Sequence, residues 1–240
     1  MSIIYGKNPV LELLKDGGGQ LDKVLISNAL QRNRIADLLD LCRLHKVRFD
    51  FLPVEKLDQL ARDCVHQGIV AQTSEYKYTE LEDLDFSGNS LIVILDLIED
   101  PHNLGAVIRS AAGAGAAAVV IQDRNCAQVN ETVIKVSAGT AHKIPVVRVT
   151  NISRTIEKLK ESGFWIVGTA MEGENDYRTF IYPEKCCIII GNEGKGMRPL
   201  VSKNCDHLVR IPLKNGVESL NASVAAGLLL FTAAGQILGE

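Results

Sequence analysis

Short apolar runs alternate with helical patterns over the first third of the chain. The apolar runs predict three strands, at residues 24–26, 47–52 and 69–71. Apolar positions spaced three and four apart predict two helices, at residues 35–42 and 54–63. A shorter helix is expected to end at Lys15, with Asn8 as its N-cap and Pro9 as its first residue. Together these elements predict a small α/β domain over residues 1–75.

The alternation continues in the rest of the chain with longer apolar runs. Five runs predict buried strands, at residues 91–95, 119–121, 146–149, 165–168 and 188–190. Because helical patterns separate these runs, they predict an α/β domain with a mostly parallel sheet and helices on both faces. Residues 76–89 are acidic and lose the periodicity. We interpret them as a linker to a larger domain over residues 90–240.

Residues 219–239 carry no formal charge, and their number would suffice to cross a bilayer. The stretch is nevertheless interrupted by polar side chains, among them Asn221, Thr232 and Gln236. A helix that is apolar on most sides is more often buried in a core or in an oligomer interface. We therefore expect no membrane association.

The overall charge of the chain does not by itself indicate a nucleic-acid-binding protein. The chain has 240 residues and a formal net charge of −3, and the acidic excess lies in the predicted linker. Any nucleic-acid surface must therefore come from local clusters of basic residues. One such cluster comprises Arg32, Arg34, Arg43, Lys46 and Arg48, for which a solvated helix face is the alternative. The start of the chain lacks a secretory pattern, so a cytoplasmic location is expected.

The six cysteines stand at positions 42, 64, 126, 186, 187 and 205. They form no Cys-x-x-Cys pair, and no histidine lies at metal-ligand spacing from them. We expect reduced, mostly structural thiols and no metal site. The histidines likewise form no catalytic pattern.

Three polar blocks carry the candidate chemistry: residues 100–109, 191–196 and 211–221. In the second block Gly191, Gly194 and Gly196 would allow the backbone to approach a ligand closely, although an ordinary tight turn is the alternative. Their spacing is not the Gly-x-Gly-x-x-Gly of a dinucleotide-binding loop. Nor is it a phosphate-binding P-loop, because Ile189 stands where the first glycine should be.

In order and spacing, these three blocks resemble the signature motifs of the SpoU (TrmH-type) RNA ribose methyltransferases. Residues 5–10 and 66–68 look like parts of the RNA-binding domain that many members carry in front. The resemblance implies an L30e-like domain followed by a SPOUT domain, whose parallel sheet ends in a carboxy-terminal trefoil knot. It also implies S-adenosylmethionine as cofactor, RNA as partner, and a homodimer formed in part by the terminal helix. The layout is most similar to guanosine 2′-O-methyltransferases of large-subunit ribosomal RNA.

By this resemblance, five residues are expected to be catalytic: Asn103, Arg109, Glu193, Ser219 and Asn221. Eight are expected to hold the methyl donor, largely through backbone groups: Thr169, Ala170, Gly191, Asn192, Gly196, Ile211, Leu213 and Leu220. Arg109 would take the proton of the 2′-hydroxyl or, more simply, stabilise the developing alkoxide and a neighbouring phosphate. Glu193 would orient Arg109. Asn221 and Ser219 are also good helix N-caps, and the two roles are compatible.

One departure from the family pattern is Asn215, which stands where glycine is usual; asparagine reaches left-handed backbone conformations more readily than most residues. Other functions stay open. A tRNA ribose methyltransferase and a self-resistance enzyme acting on a ribosomal RNA adenosine would share all three blocks. A catalytically silent RNA-binding or assembly factor is a further alternative. A nucleotide-dependent oxidoreductase is disfavoured by the glycine spacing.

Overall fold

The computed structural model describes residues 2–15, 17–18, 21–61, 65–73 and 76–239. By contacts the chain divides into two compact units, residues 1–77 and residues 78–240. The boundary lies near the start of the segment that we interpreted as a linker.

The small unit is built on a four-stranded sheet. Its elements are β1 (Ser2–Tyr5), α1 (Lys7–Lys15), β2 (Leu21–Ser27), α2 (Ala36–Leu44), β3 (Arg48–Leu52), α3 (Val54–Ala61) and β4 (Ile69–Thr73). The strand order is β1-β4-β2-β3, in which only the β2/β3 pair is parallel. The three predicted strands are confirmed, and β1 is an addition. Residues 62–64, where the predicted third helix was to end, lie outside the described residues.

The first helix begins earlier than predicted. Gly6 adopts a φ of +92°, a conformation that favours glycine, and turns the chain from β1 directly into a helix that starts at Lys7. Asn8 is therefore already inside α1, and its prediction as N-cap was wrong. The apolar side of this helix still packs as expected, because Val10 and Leu14 are fully buried against the sheet.

The large unit contains a seven-stranded sheet with helices on both faces. Its elements are β5 (Ser90–Leu95), α4 (Pro101–Gly113), β6 (Ala118–Gln122), α5 (Glu131–Val136), β7 (Val146–Val149), α6 (Ile152–Glu161), β8 (Trp165–Thr169), β9 (Asn175–Asp176), β10 (Lys185–Ile190), α7 (Pro199–Lys203), β11 (His207–Arg210) and α8 (Ala222–Ile237). The order is β7-β6-β5-β10-β8-β11-β9, and every neighbouring pair is parallel. The predicted α/β class and parallel sheet are confirmed. The trefoil knot stays a prediction.

Helices cover the two faces of this sheet because its central strands are apolar on both sides. Ile92 and Ile94 of β5 belong to the same core as Ile156 of α6, while α4 and α8 pack on the opposite face. The uncharged carboxy-terminal stretch forms α8, whose buried side includes Leu229 and Leu230. Within the described ranges, no helix has the length and apolarity needed to span a membrane.

Part of the predicted linker packs on the large unit. Thr79 forms a parallel bridge with Val147 at the sheet edge, and Leu81 is buried in the core. The ring of Tyr78 lies 4.4 Å from the Arg148 guanidinium. The apolar side chains scattered through this acidic segment thus anchor it from Tyr78 onward.

Candidate functional site

A pocket of about 400 Å³ opens where β8, β10 and β11 end. The carboxyl ends of neighbouring parallel strands meet at one edge of a sheet, which is where α/β proteins usually bind ligands. All eight residues predicted to hold the methyl donor line this pocket: Thr169, Ala170, Gly191, Asn192, Gly196, Ile211, Leu213 and Leu220. The catalytic candidates Glu193 and Ser219 line it as well.

The glycine loop that follows β10 forms one wall of the pocket in a very close turn. Asn192 and Gly196 exchange two backbone hydrogen bonds, of 3.1 and 2.8 Å. A Cβ atom on Gly191 would lie 2.4 Å from the backbone nitrogen of Met197, so no larger residue fits there without moving the chain. The tight turn and the ligand wall are therefore the same structure.

Asn192 also ties this loop to the turn that precedes the first block. Its side-chain amide donates to the carbonyl oxygen of Leu97 at 3.0 Å, and its Oδ1 accepts from the backbone of Gly194 and Lys195. Leu97 itself has a φ of +62°, which is unusual for a residue other than glycine. The amide thus holds the strained turn at Leu97, just before the first block, against the glycine loop.

Two residues that sequence reasoning missed reinforce this connection. Asp96, at the end of β5, is completely buried and accepts hydrogen bonds of 2.8 Å from the backbone N–H and the Nε of Arg198. The Nη2 of Arg198 lies 2.7 Å from Oδ1 of Asp96 and donates to Gln122 at 2.8 Å. A carboxylate directly after a fully apolar strand was the only signal in the sequence, and it did not indicate the partner.

One oxygen of Glu193 joins all three sequence blocks. Its Oε1 accepts hydrogen bonds from the side-chain amides of Asn103 at 2.8 Å and Asn221 at 2.7 Å, and from the backbone N–H of Ala222 at 2.9 Å. Asn221 donates in addition to Oδ1 of Asn103, at 2.9 Å. Three segments that are far apart in the chain therefore meet at one carboxylate.

Asn221 combines this contact with the capping role that its residue type suggested. Its Oδ1 accepts from the backbone N–H of Ser223 at 2.9 Å, at the start of α8. Ser219 is exposed at the pocket and does not cap the helix. Asn215 has a φ of 59°, the left-handed conformation expected in place of the usual glycine.

Arg109 lies elsewhere within the single chain. Its exposed side chain lines a second pocket of about 410 Å³, together with Gly113, Thr140 and Lys143. The guanidinium of Arg109 has no hydrogen bond or ion pair with another residue of the described ranges. The expected contact between Arg109 and Glu193 is therefore not made within one chain, where Asn103 and Asn221 contact that carboxylate.

Helix geometry explains this separation. Six residues along α4 turn the direction of the side chain by roughly 600°, so Asn103 and Arg109 point about 120° apart and stand ~9 Å apart along the axis. Asn103 faces the glycine loop and is almost fully buried, whereas Arg109 faces away from it. The spacing of six residues would therefore have predicted that Asn103 and Arg109 lie on different faces of the helix.

The first pocket suits a nucleoside that carries a cationic sulfur. Its size lies in the range usual for small-molecule sites. Ile190, Val209 and Met197 add apolar surface suited to a purine ring, while the exposed carboxylates of Glu172 and Glu218 provide negative charge for a cation. These five residues were not predicted from the sequence. No group of three or more potential metal ligands occurs among the residues that the structure describes.

The cysteines lie apart from this chemistry. The five described ones are free thiols: Cys42, Cys126, Cys186, Cys187 and Cys205. Burial raises the pKa of Cys186 to about 12, which disfavours the reactive thiolate. Cys64 lies outside the described residues.

Family models match both units. Residues 90–231 match the SpoU rRNA methylase family, and residues 3–79 match the substrate-binding domain of RNA 2′-O ribose methyltransferases. The two units are thus those of an RNA methyltransferase with its own substrate-binding domain. The chain belongs to the SpoU family, whose methyl donor is S-adenosylmethionine, as predicted.

Relatives and solved structures agree with this assignment. YacO of Bacillus subtilis, assigned by its name to the TrmH family of tRNA/rRNA methyltransferases, is 40% identical over 233 residues, which cover 95% of this chain and 93% of YacO. The SpoU methyltransferase AviRb of Streptomyces viridochromogenes, solved with S-adenosylmethionine, superposes with a TM-score of 0.75 at 24% identity, covering 99% of this chain and 91% of AviRb. A crystal structure of an RNA 2′-O ribose methyltransferase gives a TM-score of 0.70 at 27% identity, covering 98% of this chain and 88% of its own.

Proposed function

We propose that this protein methylates the ribose 2′-hydroxyl of a guanosine in 23S ribosomal RNA. The observation that carries the proposal is the Oε1 atom of Glu193, which gathers the three blocks beside a pocket of donor size. S-adenosylmethionine supplies an activated methyl group when bound. The protein's task is then to hold the ribose in line and to stabilise charge as the hydroxyl loses its proton.

The roles of the side chains follow from their contacts. Thr169, Gly191 and Leu220 form walls of the donor pocket. Asn103 and Asn221 fix the carboxylate of Glu193 through Oε1. This leaves Oε2 of Glu193 to receive either the substrate hydroxyl or a guanidinium. Ser219, exposed at the same pocket, is available to bind the ribose.

The guanidinium that this site needs comes, in our proposal, from Arg109 of a second subunit. Val224, Leu228 and Phe231 form an exposed apolar stripe on α8, at 51, 38 and 56% exposure. The ring of Phe231 lies against Gly113, which lines the same pocket as Arg109. A homodimer formed through this stripe would cover the exposed apolar side chains and place Arg109 at the interface.

At that position Arg109 would stabilise the developing alkoxide and hold the adjacent phosphate. A guanidinium gives up its proton only above a pH of roughly 12, which makes it a poor base. Substantial activity in an Arg109→Lys variant would favour the electrostatic role. Complete loss of activity would be consistent both with a need for the two-pronged guanidinium and with a role of Arg109 as the base.

The small unit would bind the RNA, which its match to a substrate-binding domain supports. We propose that this domain comprises residues 1–77 and that the enzyme works in the cytoplasm, where the ribosomal RNA is found. The methyltransferase domain would then begin with the segment that Tyr78 and Leu81 anchor.

The test is transfer of a tritiated methyl group from S-adenosylmethionine to total bacterial RNA, followed by nucleoside mapping. We expect label on the 2′-oxygen of a guanosine in the large-subunit RNA. Label on a base would refute ribose methylation, and label on tRNA would establish the second candidate, which the tRNA/rRNA names of the relatives leave open. A catalytically silent RNA-binding factor would bind RNA but transfer no methyl group. Calorimetry would show whether such a protein binds S-adenosylmethionine.

A further inference from the structure

The loop over residues 28–34, which we call the 28–34 loop, is a polar and exposed segment of the small unit. It follows β2 and includes most of the 3₁₀ turn, Arg32–Ile35, that precedes α2. Leu30 and five polar residues make up most of it. The exposed polar side chains are those of Asn28, Gln31, Arg32, Asn33 and Arg34.

Several contacts hold the backbone of this loop in place. The N–H of Asn28 donates to the carbonyl oxygen of Leu52 at 2.9 Å. Leu30 packs against Gly68, where an added Cβ would lie 2.9 Å from its Cδ1. At the other end, Nζ of Lys7 donates to the carbonyl oxygen of Arg34 at 2.6 Å. The exposed side chains therefore project from a fixed frame, which lowers the entropy cost of binding.

The two arginines of the loop differ from three of the basic residues in the same unit. Lys7, Lys23 and Arg43 each pair with an aspartate. Arg32 and Arg34 have no carboxylate partner within the described ranges. The guanidinium of Arg32 instead lies over the ring of Phe51, 5.1 Å from its centroid. The ring holds this planar cation in place without neutralising its charge.

We propose that the 28–34 loop binds unpaired nucleotides of the substrate RNA, an inference that rests on the proposed function. The guanidinium of Arg32 would stack on a splayed base and Arg34 would contact a phosphate. Asn28, Gln31 and Asn33 carry amides that can both donate to and accept from base edges. Bases in a duplex are stacked inside the helix, so they would not reach this surface.

The structure also separates the basic cluster predicted from the sequence. Arg43 is on α2 and forms a 2.9 Å ion pair with Asp40. It therefore serves as a matched control in the same unit. Arg32 and Arg34 are assigned to RNA binding because they are the members of the cluster that lie in the 28–34 loop.

The experiment measures binding of the full chain to a fluorescein-labelled single-stranded RNA of roughly 20 nucleotides. The double variant Arg32→Ala, Arg34→Ala should bind at least about tenfold more weakly. The slope of log affinity against log salt should fall by roughly 0.7, the value for the one phosphate contact that is lost with Arg34. Arg43→Ala should stay within about twofold of the unchanged protein, and Arg32→Lys should keep most of the salt slope but lose affinity.

Equal binding by the double variant and the unchanged protein would overturn the inference, as would equal affinity for a duplex of the same length. Matching melting curves will show that the variant is folded. Methyl transfer, measured separately, distinguishes the two proposals. If the protein binds the strand through this loop but transfers no methyl group, the proposed function is wrong and the loop assignment stands. If the double variant is active and its KM for RNA is unchanged, the loop assignment is wrong and the proposed function stands.

Discussion

Asp96 and Arg198, 102 positions apart, form a two-pronged ion pair whose carboxylate is completely inaccessible to solvent. The pair fixes the end of β5 to the second residue after the glycine loop. It therefore helps to hold the segments next to the first and second sequence blocks in a constant relative position beside the pocket.

Replacing this carboxylate should affect both stability and donor binding. Asp96→Asn leaves the Arg198 guanidinium without its counter-ion, at a cost of about 2–3 kcal/mol, below the range for fully buried pairs because Arg198 is 37% exposed. Denaturant unfolding and calorimetry with S-adenosylmethionine would measure the two effects. Lys158→Ala, which removes an exposed pair with Glu82, serves as the control and should change neither. An Asp96→Asn protein with unchanged donor affinity would show that the pair does not position the loop.

Two glycines of the second block should differ in their sensitivity to replacement by alanine. Gly191→Ala places a methyl group 2.4 Å from the backbone of Met197, so the loop must move, at roughly 1–3 kcal/mol. The affinity for S-adenosylmethionine should fall about tenfold or more. At Gly194 the nearest atom is 3.7 Å away, an ordinary contact, and the same substitution should change the affinity less than about twofold. Equal behaviour of the two variants would contradict the close-approach argument.

Mixing two inactive variants should restore activity if Arg109 acts across a dimer. Arg109→Ala and Glu193→Ala each remove one essential group, and we expect each protein alone to transfer almost no methyl groups. Random mixing makes half of the dimers mixed, each with one intact site, so about one quarter of the full activity should return. A mixture as inactive as its components would place both residues in the same chain's site or exclude the dimer.

High pH should destabilise the protein through its buried thiols. The pKa of Cys186 is raised by burial from 9.0 to about 12, so the unfolded chain loses this proton first as pH rises. Its stabilising contribution is complete below pH 9 and is lost as pH rises towards 12. By pH 10 the loss is about 1.4 kcal/mol for this thiol. Unfolding curves at pH 8 and pH 10 should therefore differ less for Cys186→Ala than for the unchanged protein, and an identical difference would refute the assignment.

The sequence predicted the central strands well because each is a continuous apolar run. β5 and β10 are buried along nearly their whole length, and such runs allow few other interpretations. By contrast, β11 starts with His207 and ends with Arg210, with only two apolar residues between them. Its strand conformation depends on pairing with β8, which no local pattern reveals.

The sequence predicted which residues line the pocket better than it predicted how they are connected. The resemblance to the family brought together eight residues that line the pocket where strands end at one edge of the sheet, whereas five further lining residues were not predicted. Hydrogen bonds such as those between Glu193 and Asn103 join residues 90 positions apart, and no periodicity encodes them. The position of Arg109, unlike these hydrogen bonds, could have been predicted. Its spacing from Asn103 on one helix places the two side chains on different faces.

The backbone N–H of Ala222 at the start of α8 completes the set of donors to Glu193. In a chain still emerging from the ribosome, the pocket and the contacts of Glu193 are consequently incomplete until α8 has been synthesised and docked. By thermodynamic linkage, a ligand that favours this arrangement must also suppress fraying of α8. Amide hydrogens near Ala222 would then exchange more slowly when the pocket is filled, because Ala222 and Ala225 line it.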